Sequence, residues 1–583
     1  MGENQDCLWV GLDLSTQSLT VVVLSESQSG FVSSYQDSIV FDQHLPQYNT
    51  TNGMHVDGAE KVTSPVTMWV EALDIGLTKL GHWLSGQTGK QMTAISCSAQ
   101  QHGTVYWAQG AEQKLKDLKG DPKVPLLDAL GGAALWSTRD SPIWADSSTQ
   151  IECKAIEDAL GGAQALADLT GAKAYRRHSG PQIAKIATRQ PNVWEKTERV
   201  SLVSSFVTSL LTGCYAPIDR SDGSGMNLMD IKEQTWHDQC VVSVAPGLGE
   251  KLGGLVDSHT VVGKVAPYMV SRYGFPEDCC IISGSGDNPN ALAGLGLSNE
   301  EEGIYSISLG TSDTIMAITS SPHPQLEGNV MVNALDPSSY FVMLVYKNGA
   351  VCREKMRNEY CNGDWERFSK VLGDSQPGNG GKMGMFLELP EITPEIDVVT
   401  TERLNEANKA VPSFEPQEDI RALIEGRFMS MKYRMQRMGL KPPKSILATG
   451  GASNSKPIMQ VISDIFGAPV FVAESSDAAA RGAAYRAKHG YLSSNQGQLV
   501  PFQDIIGDFE SRGLKKICEP QTGCPDIYDE MLPRLYELEE RLKAIDPNND
   551  IAIQAKRTIC GKSNEEEAID RQPFSKKTRT SNT

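Results

Sequence analysis

One arrangement of apolar and polar positions occurs twice in this chain. From Cys7 to Ser25, CLWVGLDLSTQSLTVVVLS, two aliphatic and β-branched runs flank the small polar stretch Asp13-Leu-Ser-Thr-Gln-Ser18. Such runs around a polar turn predict a β-hairpin. The pattern returns from Gly303 to Thr319, GIYSISLGTSDTIMAIT, around Ser308-Leu-Gly-Thr-Ser312. The quartets Asp13-Leu-Ser-Thr16 and Ser308-Leu-Gly-Thr311 match in place. Two such hairpins far apart in sequence predict a duplicated architecture in which each half offers one tip to the same ligand.

A second pattern is a short apolar strand running into a Gly/Asn joint and then a helix. Asp278-Cys-Cys-Ile-Ile-Ser leads to Asp287-Asn288 and an Ala/Leu/Gly run ending near Gly296. Ile446 to Gly467 leads through Gly450-Gly451 to the N-cap candidates Ser453, Asn454 and Ser455, with Pro457 in the first turn. The helix that follows places Ile458, Val461, Ile462, Ile465 and Phe466 on one face and stops at Gly467. A strand within Thr93 to Ala108 delivers Gln101-His102-Gly103 into a loop. Further helices are expected over Thr149 to Thr170, over Asp477 to Ala484, and over Asp526 to Ile545. The stretch from Lys114 to Leu135 reads as a surface excursion, and residues 562–583 are polar enough for disorder.

A length of 583 residues exceeds one core, so two large domains with appended segments are expected. The formal charge of −18 argues against a nucleic-acid partner, which needs clustered Lys and Arg. The 12 Cys are scattered without CxxC or zinc spacing and read as thiols of a reducing compartment. Neither a basic signal region nor a membrane-length apolar run is seen, which points to the cytoplasm.

These placements suggest chemistry. Asp287, at a strand-to-helix joint beside helix-opening N–H groups, suits a general base facing an anionic ligand. Hairpin tips of small residues can wrap phosphate, and Asp13 on the first tip can hold Mg²⁺, which prefers oxygen ligands and keeps several waters. Gln101 and His102 can bond vicinal hydroxyls of a sugar. Within Tyr175-Arg176-Arg177-His178 one Arg can read a hydroxyl or keto oxygen, and Asp146 lies beside Trp144. The Gly450-Gly451 pair lets backbone approach a flat ring whose edge Asn454 can read. Neither a GxxxxGK[ST] loop nor a GxGxxG fingerprint occurs, so nucleotide binding rests on the paired hairpins.

The ordered segments GLDLSTQSLTVVVL, SPVTMWVEALD, SCSAQQHGTVYW, SPIWADSST, GGAQALADLTG, GPQIAKI, PIDRSDGSGMNLM, GSGDNPNALAGLG, ISLGTSDT, EITPEI, IRALIEG and ILATGGASNS resemble the FGGY family of carbohydrate kinases, in particular its members acting on D-xylulose. The resemblance runs from about Leu8 to about Leu542. It implies an α/β, two-domain, actin-like ATPase (ribonuclease H-like) fold with a catalytic cleft between the domains. The expected boundaries are 1–286 and 287–505 for the two domains, 506–561 for a C-terminal helical extension, and 562–583 for the tail. The resemblance makes Asp287 the base, and His102, Arg177, Asn288, Gln101 and Asp146 sugar contacts. Asp13 would organise Mg²⁺. Thr16, Gln17, Gly310 and Thr311 would grip the phosphates of ATP, and Gly450, Gly451, Asn454 and Trp365 the adenosine. The chain departs from bacterial relatives in having Ser15 where they commonly have Gly and Thr20 where they have Lys. It also lacks the family's Trp after Lys185. The implied reaction is ATP plus D-xylulose giving ADP plus D-xylulose 5-phosphate, in a monomer or dimer with neither membrane nor nucleic-acid partners. The competing readings are a kinase for another ketose or polyol, and a nucleotide switch of the actin or chaperone type.

Overall fold

Two seven-stranded sheets organise the chain. They are seen in a computed structural model that describes residues 6–27, 30–118, 123–299, 303–472, 477–507 and 514–545. The expected polar tail, 562–583, lies outside the described residues.

The first sheet contains β1 (Asp6–Leu14), β2 (Ser18–Ser27), β3 (Gly30–Val40), β4 (Lys90–Ala99), β5 (Val261–Lys264), β6 (Cys280–Ile282) and β7 (Ser285–Gly286). Its order is β5-β6-β4-β1-β2-β3, with β7 also on β4. β1, β2 and β3 form an antiparallel meander, while β4 runs parallel to β1 on its other flank. The second sheet contains β8 (Ile304–Leu309), β9 (Asp313–Thr319), β10 (Asn329–Val332), β11 (Tyr340–Tyr346), β12 (Ser445–Thr449), β13 (Val470–Val472) and β14 (Lys515–Cys518), in the order β10-β11-β9-β8-β12-β13-β14. Here β8, β9 and β11 repeat the meander and β12 repeats the parallel flank. The expected duplication is therefore present in topology as well as in the hairpins. Val10, Leu12, Val21 and Val23 enter one core, and Trp9, Val22 and Leu24, on the opposite face of the pleat, enter another. Strands buried on both faces explain why these runs are apolar without strict alternation.

Two helices join the halves. The helix Asp287–Leu295 follows β7, and the helix Ala478–Gln496, which follows β13, crosses back to pack on both that helix and β1. Glycine permits the contact: a Cβ at Gly482 would lie 1.8 Å from the Asn290 carbonyl oxygen, and one at Gly294 1.9 Å from that of Ala478. Arg486 locks the joint from inside. It donates to Asn290 Oδ1 at 2.9 Å and to the carbonyls of Ser258 and Ser283 at 2.8 and 2.9 Å, and pairs with Asp219 at 3.3 Å.

Some expectations change. The helix expected over Thr149 to Thr170 is two, Gln150–Ala159 and Ala163–Thr170, because Gly161 and Gly162 take positive φ of 90° and 114°. The Lys114 to Leu135 segment, expected as a surface excursion, is anchored where it is described, with Leu115, Leu118, Leu126, Leu130 and Leu135 in the first core. The C-terminal extension is not purely helical: β14 pairs antiparallel with β13 before the helix Cys524–Lys543. Among the described residues the cysteines are free, and no helix is long and apolar enough to cross a membrane.

Candidate active site

Asp287 stands on the first turn of its helix, directly after the extended N-cap Gly286. Its carboxylate accepts from the backbone N–H of Asn288 at 2.9 Å and is also stabilised by the N–H groups of Gln101 and of Asp287 itself. Burial, and then the negative charge of Asp13, outweigh those donors and push the Asp287 carboxyl up to about 7. A carboxylate of that proton affinity is suited to accept a hydroxyl proton near neutrality.

A chain of contacts leads from this residue around the first half and back to its hairpin. Asn288 Nδ2 donates to Gln101 Oε1 at 2.8 Å. Gln101 precedes His102, which takes a left-handed φ of 69°. Such backbone is uncommon outside Gly and clusters at functional positions. The His102 ring lies 4.7 Å from that of His178, and burial lowers the pKa of both rings, that of His178 to about 4, so both are neutral. His178 follows Arg177, whose guanidinium lies 5.6 Å from the Trp144 ring. Trp144 Nε1 in turn donates to Thr16 Oγ1 at 2.8 Å, on the first hairpin tip. Asp13, at the end of β1, completes the circuit next to Asp287. Its carboxylate accepts from Ser15 and Ser98 hydroxyls at 2.5 and 2.7 Å.

Among the described residues, Asp13 has no cationic side chain in ion-pair or hydrogen-bond contact with it, and burial raises its pKa. A buried carboxylate with two hydroxyl donors and no cation fits Mg²⁺. No group of three protein ligands occurs among the described residues, as suits an ion that draws its other ligands from phosphate and water.

The second half forms its own cluster. The tip Gly310-Thr311-Ser312 closes through Gly310 N–H to the Ser312 carbonyl at 3.2 Å. Gly450, at φ 83°, runs against this hairpin, since a Cβ there would lie 2.5 Å from the Leu309 carbonyl oxygen. Gly451 beside it faces open space, and Asn454 closes the short helical turn before the helix Lys456–Phe466. The helix Trp365–Asp374 reaches the same place through a 2.9 Å contact between the hydroxyls of Ser369 and Ser455. Trp365, one turn earlier, is 41% exposed and stacks with Arg357.

Two expectations shift. Asp146, expected at the sugar, is engaged by the surrounding scaffold: its fully buried carboxylate accepts from Val62 N–H, Ser148 N–H and hydroxyl, and Gln182, and pairs with Lys185 at 2.9 Å. Burial would raise its pKa, but those donors hold it below the usual range and leave no lone pair for a ligand. Gln101 is turned to Asn288 and, through Nε2, to Met331 Sδ at 3.3 Å, so it orients a neighbour. Sequence reasoning missed two participants. Trp144 was noted only as an aromatic beside an acid. The buried pair Arg353–Asp313, at 2.7 Å, braces the second tip, where Arg353 also donates to the Gly310 carbonyl at 3.2 Å. A pair 40 residues apart has no local signal.

Comparison with known proteins bears on this arrangement. The N-terminal domain profile of the FGGY family of carbohydrate kinases matches residues 133–294, and its C-terminal domain profile residues 305–491. Xylulose kinase of Mus musculus is 44% identical over 536 residues, covering 91% of this chain and 94% of that protein. Xylulose kinase 2 of Arabidopsis thaliana is 42% identical, covering 92% and 97%. The fold matches that of a ligand-bound xylulose kinase from Lactobacillus acidophilus with a TM-score of 0.73 at 18% identity, over 92% of this chain and 99% of that one.

Proposed function

The chain belongs to the FGGY family of carbohydrate kinases and is an ATP-dependent sugar kinase; on that premise we propose that it phosphorylates the terminal hydroxyl of D-xylulose, giving D-xylulose 5-phosphate. Identity above 40% to xylulose kinases along nearly the whole chain supports the substrate. The observation that supports the mechanism is the contact circuit, which links the Asp287–Asn288 pair, the neutral rings of His102 and His178, the Arg177 guanidinium and the first hairpin tip.

In this reading Asp287 takes the proton from the terminal hydroxyl as the oxygen attacks phosphorus. Asn288, held by Gln101, and His102, backed by His178, bond the remaining hydroxyls. Thr16 and Gln17 on one tip, and Gly310 and Thr311 on the other, hold phosphate oxygens. Gly450, Gly451 and Asn454 hold adenosine, with Trp365 against it. Asp13 would hold Mg²⁺, which neutralises phosphate charge when bound. Because phosphoryl transfer passes through a loose transition state, alignment and exclusion of water are the protein's main work.

Two predictions arise here. The Arg177 guanidinium makes its described contact to a ring, whereas exposed Arg176 is held by Gln150 and pairs with Glu60 at 3.6 Å. Arg177→Ala is expected to cost about 1.5–3 kcal/mol of sugar binding, roughly a 10–100-fold rise in KM for D-xylulose, while Arg176→Ala changes it little. Steady-state kinetics on the pair check this; the reverse ranking would put the assignment out of register.

The second concerns pH. A base must be deprotonated, and Asp287 is pushed up to about 7. The value of kcat/KM for sugar is therefore expected to rise with pH through about 7 and to fall roughly tenfold per unit below it. A profile flat from about pH 6 to about 8 contradicts the assignment.

A further inference from the structure

Asp222 takes no part in the mechanism above, yet it lies directly behind the base. It belongs to the short helix Arg220–Gly223, whose N-cap Asp219 accepts from Asp222 N–H at 2.8 Å. The residue is 2% exposed. Its Oδ2 accepts from the Ser204 hydroxyl at 2.6 Å, while Oδ1 is buried and has no hydrogen-bond partner among the described residues. That unpartnered oxygen is pressed against the residue before Asp287: a Cβ at Gly286 would lie 2.8 Å from it and equally close to the Gln101 side chain.

The charged and titratable groups around Asp222 come from four elements. Asp219 is its own helix's cap, and Asp287 stands beyond Gly286. The Cys97 thiol on β4, pushed up to about 12 by burial, is neutral. Arg486, from the crossing helix, spends its hydrogen bonds on Asp219, Asn290, Ser258 and Ser283. Among the described residues Asp222 thus has carboxylate neighbours, one hydroxyl donor, and no hydrogen bond from a cation. An ionised carboxylate so placed, with one oxygen unpaired, is costly; a protonated one costs much less.

We propose that Asp222 is a positioning residue that serves phosphoryl transfer as a neutral acid, supporting the Gly286–Asp287 joint without adding negative charge, and that its ionisation shuts the site down. This rests on Asp287 being the base. With Asp222 neutral, the carboxylate charge facing the phosphates is limited to Asp13 and Asp287. Burial first, then Asp219 and Asp287, push Asp222 up to about 8, so the neutral form holds at neutral pH and is lost above it. The two coupled carboxyls then give the rate a second, alkaline limb.

The test compares kcat/KM for sugar, from about pH 6 to about pH 10, in the wild type, Asp222→Asn and Ser204→Ala, each profile scaled to its own maximum. The wild type is expected to fall roughly tenfold per unit above about pH 8. Asp222→Asn, a neutral isostere, loses that limb. Ser204→Ala removes the donor that stabilises the Asp222 anion, so its limb moves to higher pH by on the order of one unit. An alkaline limb unmoved in both variants, or absent from the wild type, overturns the inference. Should Asp222→Asn fail to fold, the Ser204→Ala limb decides alone, and an unmoved limb again overturns it. Asp287→Asn run alongside separates the two readings: if it stays active the base assignment has failed, and if it is inactive while the limb stays put only the role of Asp222 has.

Discussion

Replacing Asp287 with Asn is expected to lower turnover roughly 10²–10⁴-fold while the protein still binds ATP. The substitution keeps size and most hydrogen bonds: the amide oxygen can accept from the N–H groups of Asn288 and Gln101 as the carboxylate does. What disappears is a proton acceptor poised near neutrality by burial and by Asp13. The residues proposed for adenosine belong to the second half, so ATP affinity measured by calorimetry should stay close to the wild-type value. Near-normal turnover in the variant would remove Asp287 as the base.

Breaking the brace behind the second tip should give the largest loss of stability. Arg353 and Asp313 are 4% and 0% exposed and meet through two short contacts, at 2.7 and 2.9 Å. Arg353→Leu leaves Asp313 buried without its hydrogen-bonded ion-pair partner, with only the Coulombic pull of Arg427 remaining, which costs about 3–5 kcal/mol. It also removes one donor to the Gly310 carbonyl, leaving Ala350 N–H at 3.1 Å, so if this tip grips phosphate as proposed, KM for ATP should rise alongside the fall in the denaturation midpoint. Asp313→Asn added to that variant should restore part of the stability, because a neutral amide is cheaper to bury than an unpaired charge. Full stability in Arg353→Leu would show that the pair is dispensable.

The readable parts of this sequence were those whose signal is local. Both hairpins were legible because apolar runs and a small polar tip lie within about twenty residues of one another. The helix after Gly450-Gly451 was legible from Pro457 to Gly467 because caps and periodicity agreed, and it runs from Lys456 to Phe466. Other features depend on partners distant in sequence. Nothing local shows that Gln101 gives its amide oxygen to Asn288, on another element. Nor does the stretch around Trp144 show that Val62, Gln182 and Lys185 converge on Asp146. Arg177 and Arg176 are indistinguishable by composition, and only the fold sets one against Trp144 and the other, exposed, against Gln150 and Glu60. The break between Ala159 and Ala163 was visible in Gly161-Gly162 but outweighed by the alanines on either side.

The account stands or falls on sugar-dependent ATP use. ADP formation by the purified full chain, followed with Mg²⁺-ATP alone and with a panel of free ketoses, aldoses and polyols, is the most direct measurement. Strong ADP release with D-xylulose, matched mole for mole by D-xylulose 5-phosphate, and little release without sugar, is the predicted result. ATP hydrolysis at the same rate with and without every sugar, or faster turnover of glycerol or another ketose, would contradict it.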